Sequence, residues 1–420
     1  MSEADDNVIE IEDFNWKRSL EYRWDAKSRG MVLAASLKNA TLILCNDEAF
    51  KGCWRWDDFR RQIMLYRPLP SVAGLTAPGP GPVEDHMLVH QVSAFSEING
   101  LSFGRENVIH AIEAAAHQDH YNSLVEHLDG LEWDGTKRIH GWLYTYLGAE
   151  HTQYTSAVGR WWLVSAMARA YKPGCQADHM LVLEGPQGAG KSTASAILGG
   201  AAFLSKLPNL RDYDRAAHAL AGRWIVEVGE LDAMRGAAAT QAKEFISLKS
   251  DNYRAPYARF PVEVQRTCVF IGTTNEDGYL VDVTGGRRYH PVRIGHVNRQ
   301  ALTEDRDQLL AEAREAFKAG EQWWPDEEHS EEINEQQEER YKSDEWESVI
   351  SRWLDRCDEN MLVPRDGVSV GDILFGALEL AADKWDDSAQ KRAGNVMKRL
   401  GWRCERKREG GARVRRYFRP

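Results

Sequence analysis

HMLVLEGPQGAGKSTASAIL, residues 179–198, decides how the rest of the chain is read. Met180, Leu181, Val182 and Leu183 form a short continuous apolar run, as in a strand covered on both faces of a parallel sheet. Gly185, Gly188 and Gly190 free the backbone that follows, and Lys191, Ser192 and Thr193 open an alanine-rich helix. Strand, glycine loop and helix in succession aim the loop N–H groups and the positive helix end at one anion-sized space. Gly185, Gly190, Lys191 and Ser192 match the phosphate-binding pattern G-x-x-x-x-G-K-[ST] in the context the pattern requires. The expected cofactors are ATP, cradled by Gly185, Pro186, Gln187, Gly188, Ala189, Gly190, Lys191, Ser192 and Thr193, and Mg2+ on the Ser192 hydroxyl.

Downstream, helix and strand alternate, which predicts an α/β fold with a parallel-sheet core. RWIVEVGELDAM supplies a second strand through Trp224, Ile225, Val226 and Val228. Glu227 and Glu230 lie at or just beyond its carboxyl end, where such sheets place ligand groups; Glu230 is the first choice to hold Mg2+ or align water, Glu227 the second. A third strand, Thr267–Asn275, ends in Asn275, whose amide could bond a γ-phosphate or the attacking water. In DVTGGRRYHPV a glycine turn presents Arg287 and Arg288, either of which could reach a neighbouring subunit's γ-phosphate. Between the second and third strands, KEFISLKSDNYRAPYARF reads as a helix leading into a hairpin. Its Lys249, Arg254 and Arg259 interleave with Tyr253 and Tyr257, a composition suited to single-strand binding and equally to a solvated face.

The net charge of −11 conceals a strong asymmetry. Asp326–Glu347 holds 11 acidic and 2 basic residues, whereas Lys391–Pro420 holds 12 basic and 2 acidic ones, which suggests an anionic partner for the C-terminus. Three helical segments followed by two short basic strands around Gly410 and Gly411 have the layout of a winged helix. Lys398, Arg399, Arg406, Lys407, Arg413, Arg415 and Arg416 are its candidate nucleic-acid contacts. Upstream, ATLILCND (Ala40–Asp47) reads as a strand and CWRWDDFRRQI (Cys53–Ile63) as an amphipathic helix over an aromatic core. Five of the fourteen prolines fall in Arg67–Pro82 and mark a boundary.

The expected organisation is a small N-terminal α/β region with a proline-rich linker (1–85), a helical collar (86–170), an ATPase core (171–325), an acidic linker or solvated helix (326–347) and a basic winged-helix domain (348–420). His117 and His120, one turn apart, have no third ligand in view and read as surface or capping residues. The six scattered cysteines predict buried thiols in a reducing compartment. No apolar run reaches membrane-spanning length and the acidic N-terminus is no secretory signal, which predicts a cytoplasmic protein.

LEGPQGAGKST, RWIVEVGEL, SDNYRAPYARF, CVFIGTTN and VTGGRRYHPV, preceded by LEWDGTKRI and followed by QLLAEAREAF, resemble the virulence-associated protein E family of phages and mobile islands. The resemblance implies a superfamily III helicase-like AAA+ core, assembled as a homo-oligomeric, hexameric ring that acts on single-stranded or forked DNA in replication. It implies the Walker A role for Lys191 and Ser192, Walker B for Glu230, sensor 1 for Asn275, the arginine finger for Arg287 or Arg288, and DNA tracking for Lys249 and Arg254. Gly286 and Tyr289-His290 depart from the family's asparagine and Phe-Trp pair around the finger. The first hundred residues carry no primase-type site, so priming would fall to a separate primase or initiator. An ATP-switched origin-binding protein or helicase loader, and a nucleotide-gated regulatory module, are the competing readings.

Overall fold

The computed structural model describes residues 15–69, 79–83, 92, 103–229, 237–254, 259–276, 278–280, 288–341, 344–359, 367–409 and 412–419. The chain begins with a hairpin of β1 (Tyr22–Asp25) and β2 (Gly30–Leu33), then α1 (Leu37–Asn46), then a second hairpin of β3 (Trp54–Asp57) and β4 (Gln62–Leu65). β5 (Gly81–Pro82) and β6 (His120–Tyr121) complete a sheet ordered β5-β4-β3-β6. α2 (Arg105–Ala116) packs Val108, Ala111 and Ile112 into the same core as Trp54 and Leu65.

Two expectations are corrected here. ATLILCND is helical, not extended: Ser36 caps α1 by accepting from the Asn39 N–H, and Ala40 and Leu44, one turn apart, enter the core. CWRWDDFRRQI is the β3–β4 hairpin, not a helix. The buried Asp57 carboxylate accepts from the Phe59, Arg60 and Ser123 N–H groups, and Arg61 closes the turn at φ 57°.

α3 (Ser123–Asp129), α4 (Trp142–Leu147) and α5 (Gln153–Tyr171) follow. α5 is apolar on nearly every side because it is enclosed: the Trp162 indole N–H donates to the Phe270 carbonyl at 2.8 Å, and Trp224 donates to Ala166 at 2.9 Å. The last helix of the segment expected as a collar therefore lies on the central sheet.

That sheet is built from β7 (Met180–Glu184), α6 (Lys191–Gly199), β8 (Phe203–Leu204), α7 (Tyr213–His218), β9 (Ile225–Val228), α8 (Ala237–Ser247), a hairpin of β10 (Ser250–Tyr253) and β11 (Val262–Gln265), β12 (Val269–Thr274), β13 (Tyr289–Arg293) and α9 (Arg299–Lys318). Its five strands are parallel in the order β13-β7-β12-β9-β8. Alternate side chains enter two cores, Leu181, Leu183, Ile225 and Ile271 on one face and Met180, Val182, Val226 and Phe270 on the other. Pro291 is accommodated because β13 is the edge strand.

α10 (Ser330–Glu339) lies along that edge, burying Ile333 and donating from Gln337 Nε2 to the Tyr289 carbonyl. The acidic run is thus packed rather than freely solvated. α11 (Glu345–Glu359), β14 (Val368–Ser369), α12 (Asp387–Arg399), β15 (Arg403–Glu409) and β16 (Ala412–Phe418) form a last unit around Ile350, Leu354, Ile373, Met397 and Tyr417. Ser369 caps its short helix, accepting from the Asp372 N–H. All six thiols are free, but Cys404 is exposed, Cys45, Cys175 and Cys357 are half-buried, and only Cys53 and Cys268 are buried, which corrects the expectation for four of them.

Candidate functional site

The strand order builds the site. β12 lies between β7 and β9, so the loop after β7, the buried face of β9 and the end of β12 converge at the carboxyl edge of the sheet. Gly185–Gly190 links β7 to α6, with Gly188 and Gly190 at φ 85° and 97°, where a side chain would be strained. A Cβ on Gly190 would also stand 3.1 Å from Val297.

Lys191, the first residue of α6, turns its ammonium back into the loop. It donates to the Gly185 carbonyl at 2.6 Å, the Pro186 carbonyl at 3.0 Å and Asn275 Oδ1 at 2.8 Å, so three donors meet three acceptors. Burial lowers its pKa, with the Glu227 charge opposing the shift. The adjacent Ser192 hydroxyl donates to Glu227 Oε1 at 2.6 Å, and Thr273 Oγ1 donates to the same oxygen at 2.9 Å. Hydroxyl and carboxylate side by side form the all-oxygen donor set that suits Mg2+.

Lys191 with Ser192, Glu227 and Asn275 are therefore brought together from three places in the sequence. Among the described residues Glu227 is the carboxylate that touches Ser192; Glu230, ranked above it on sequence, lies outside the described residues, as do Arg287 and Tyr257. The signal for Glu227 was present as a lone charge inside an apolar run, and the strand buries it to 2% exposure. Thr273, which holds Glu227 in place, was missed for lack of any such signal.

Arg288 is not near its own chain's loop. It precedes β13, whose Tyr289 pairs with Met180, so it stands at the amino edge of the sheet, 4.0 Å from Asp178. The five-residue β7 separates it from Gly185 by roughly 15 Å.

Lys249, Arg254 and Arg259 are all exposed on or beside the β10–β11 hairpin. Phe260, which the sequence reading did not single out, is 76% exposed there. The hairpin's root is rigid: Arg266 Nε and Nη2 each bond Asp251 at 2.6 Å, Tyr213 donates to Asp251 at 2.9 Å, and Arg266 also donates to the Phe245 carbonyl. Only residues 266–268 separate β11 from β12.

In the C-terminal unit Lys398, Arg406 and Arg415 are exposed, and Arg406 lies directly opposite Arg415 across the β15–β16 ribbon. Arg399 is not free: it pairs with Glu338 and Glu347, and its guanidinium lies 3.4 Å from the Tyr341 ring centre. Arg416 donates to the Gly367 carbonyl and Lys407 covers Phe418, so these three cations have structural contacts. The side chain of Arg413 lies outside the described residues. Among the described residues no helix is long and apolar enough to cross a membrane.

The apo C-terminal region of NrS-1 superposes on 87% of this chain and 96% of its own, with a TM-score of 0.50 at 13% identity, a likeness of fold. Its A form covers the same shares with a TM-score of 0.43 at 14% identity. No curated protein matches the sequence. Residues 128–342, just over half of the 420-residue chain, match the model of the virulence-associated protein E-like domain. These residues span α4, the five-stranded sheet and α10, so the match takes in Lys191, Ser192, Glu227 and Asn275, and the chain belongs to the virulence-associated protein E-like family.

Proposed function

We propose that the chain is an ATP-dependent motor that moves single-stranded or forked DNA during replication of a phage or mobile element, working as a ring of identical subunits. The observation that carries this reading is the convergence, at the glycine loop, of Lys191 bonded to Asn275 and Ser192 bonded to Glu227. Lys191 and the loop N–H groups would hold the phosphates, and Ser192 with Glu227 would hold Mg2+, which when bound neutralises phosphate charge. Asn275 already bonds the ammonium, so displacement of Lys191 toward a γ-phosphate is felt at the end of β12. The length of β12, residues 266–268 at its other end and the Arg266–Asp251 clamp would carry that displacement into the hairpin of Lys249, Arg254 and Phe260.

The position of Arg288 suits action on a neighbouring subunit rather than on its own loop, and Arg287 beside it is the other candidate. An arginine supplied in trans raises turnover about 10³- to 10⁵-fold, so hydrolysis depends on assembly. The C-terminal unit supplies a winged-helix DNA contact, in which Arg406 opposite Arg415 is a like-charge pair relieved by an anion.

ATP hydrolysis measured with and without single-stranded DNA tests the reading. Stimulation by DNA that disappears when Lys249→Ala is combined with Arg254→Ala is the expected result. DNA binding without stimulation or strand displacement would instead make the protein an ATP-switched loader. Arg287→Ala or Arg288→Ala should spare ATP binding and abolish turnover; full activity in the assembled variant removes that arginine from the role.

A further inference from the structure

β1 and β2 form a two-stranded ribbon whose face is apolar and open. Tyr22, Trp24 and Met31 are 54%, 65% and 61% exposed. The register sets Trp24 opposite Met31 and Tyr22 opposite Leu33, so these side chains share one face. No other strand pairs with this ribbon among the described residues.

Its base is fixed. The buried Asn39 of α1 accepts from the Glu21 N–H at 2.9 Å and donates to the Glu21 carbonyl at 2.7 Å and the Ala34 carbonyl at 2.8 Å, clamping both ends of the hairpin at once. A ribbon held so firmly at its root and left bare along one face is built to present that face.

Charge decides what it presents to. Lys17 and Arg18 lie just before the ribbon and Lys27 and Arg29 at its turn, whereas Arg23, between Tyr22 and Trp24 in β1, points to the opposite face beside Asp25; all five are exposed, and none makes an ion pair within 4 Å among the described residues. Among the described residues, the carboxylates of the ribbon and its base are engaged locally, Glu21 by Ser36 and Lys38 and Asp25 by the Ser28 N–H. Exposed cations at both ends of a ribbon that presents exposed aromatic rings, on a protein of net charge −11, complement a polyanion with free base faces. Duplex bases are already stacked, so the fit is to a single strand.

We infer that the β1–β2 hairpin is a second single-stranded nucleic-acid contact, stacking bases on Trp24 and Tyr22 and holding phosphates with Lys27 and Arg29. It lies outside the residues matched by the family model and rests on the motor reading only for the identity of the strand as DNA.

The test uses the full chain and a bromodeoxyuridine-substituted oligothymidylate, with photocrosslinks mapped by mass spectrometry and affinity read by anisotropy. Crosslinks at Tyr22 or Trp24 are expected. Tyr22→Ala with Trp24→Ala should weaken binding on the order of tenfold for each stacked base lost. Lys27→Ala with Arg29→Ala should lower the slope of log affinity against log salt by about 1.4. ATP hydrolysis without DNA should be unchanged in both. Unchanged affinity and no crosslink between residues 16 and 33 overturn the inference. So does a change in sedimentation without a change in affinity, which would make the ribbon a protein-docking face. DNA-stimulated hydrolysis with no hairpin crosslink defeats this inference alone, whereas hairpin crosslinks without any hydrolysis defeat the motor reading alone.

Discussion

Arg340→Met should loosen the phosphate loop from beneath. Glu184 is the last residue of β7 and immediately precedes Gly185, and both its oxygens accept from Arg340 Nε, at 2.9 and 3.1 Å. Both side chains are buried, and the guanidinium is also held by the Gln336 carbonyl at 3.0 Å and the Gln336 side chain at 2.7 Å. Methionine retains most of the apolar stem but leaves the carboxylate without its charge partner, and breaking a buried pair this way costs about 3–5 kcal/mol. At about 2–4 °C per kcal/mol for a unit of this size, the transition carrying the sheet should melt roughly 10 °C lower. Adding Glu184→Gln removes the stranded charge, so the double variant should recover most of the loss. Near-ultraviolet circular dichroism follows the transition through the buried Trp161, Trp162 and Trp224, and ATP affinity should fall in parallel for the single variant. A midpoint for Arg340→Met within about 2 °C of the parent, or a double variant as unstable as the sum of the singles, would falsify the role of this pair.

Glu227→Gln should retain ATP binding and lose about 10²-fold or more in turnover, measured against an equilibrium binding assay, whereas Lys191→Ala should lose binding itself. His179 is buried, and burial lowers its pKa to about 4 from the ordinary 6.5. The unfolded chain therefore takes up this proton first, and stability should fall by up to about 3 kcal/mol as the pH drops from 6.5 toward 4. His179→Phe should flatten that part of the stability profile in denaturant titrations; an unaltered profile would show that the group does not contribute. Asp251→Ala strands the buried Arg266 guanidinium against Phe245 and Phe270, at about 3–5 kcal/mol, and should abolish DNA stimulation while basal hydrolysis persists. Gly295→Ala should destabilise by about 1–3 kcal/mol in the same titrations, since its Cβ would lie 2.9 Å from the Gly148 carbonyl.

The loop and the strands beside it were legible because their signals are local. Four apolar residues before a glycine-rich turn specify β7, the Lys-Ser-Thr opening specifies α6, and TCVFIGTTN specifies β12 with its terminal amide. The N-terminal region was misread where helix and strand patterns overlap. Five apolar residues in ATLILCND satisfy either, and only the Ser36 cap and packing against α2 favour the helix. Within CWRWDDFRRQI, a buried aspartate that binds three N–H groups sets the turn, and no periodicity announces it.

The sequence by itself determined that an anion-binding loop joins a buried strand to a helix, because backbone freedom and helix polarity act within twenty residues. Tertiary structure decided that Glu227 meets Ser192, since that contact depends on β12 inserting between β7 and β9. It also decided that Arg340, embedded in the most acidic stretch of the chain, becomes the counter-ion beneath the loop, and that Arg399 is held by that same stretch. Charge counts along a chain record neither, because desolvation and pairing are settled only when segments distant in sequence are buried together.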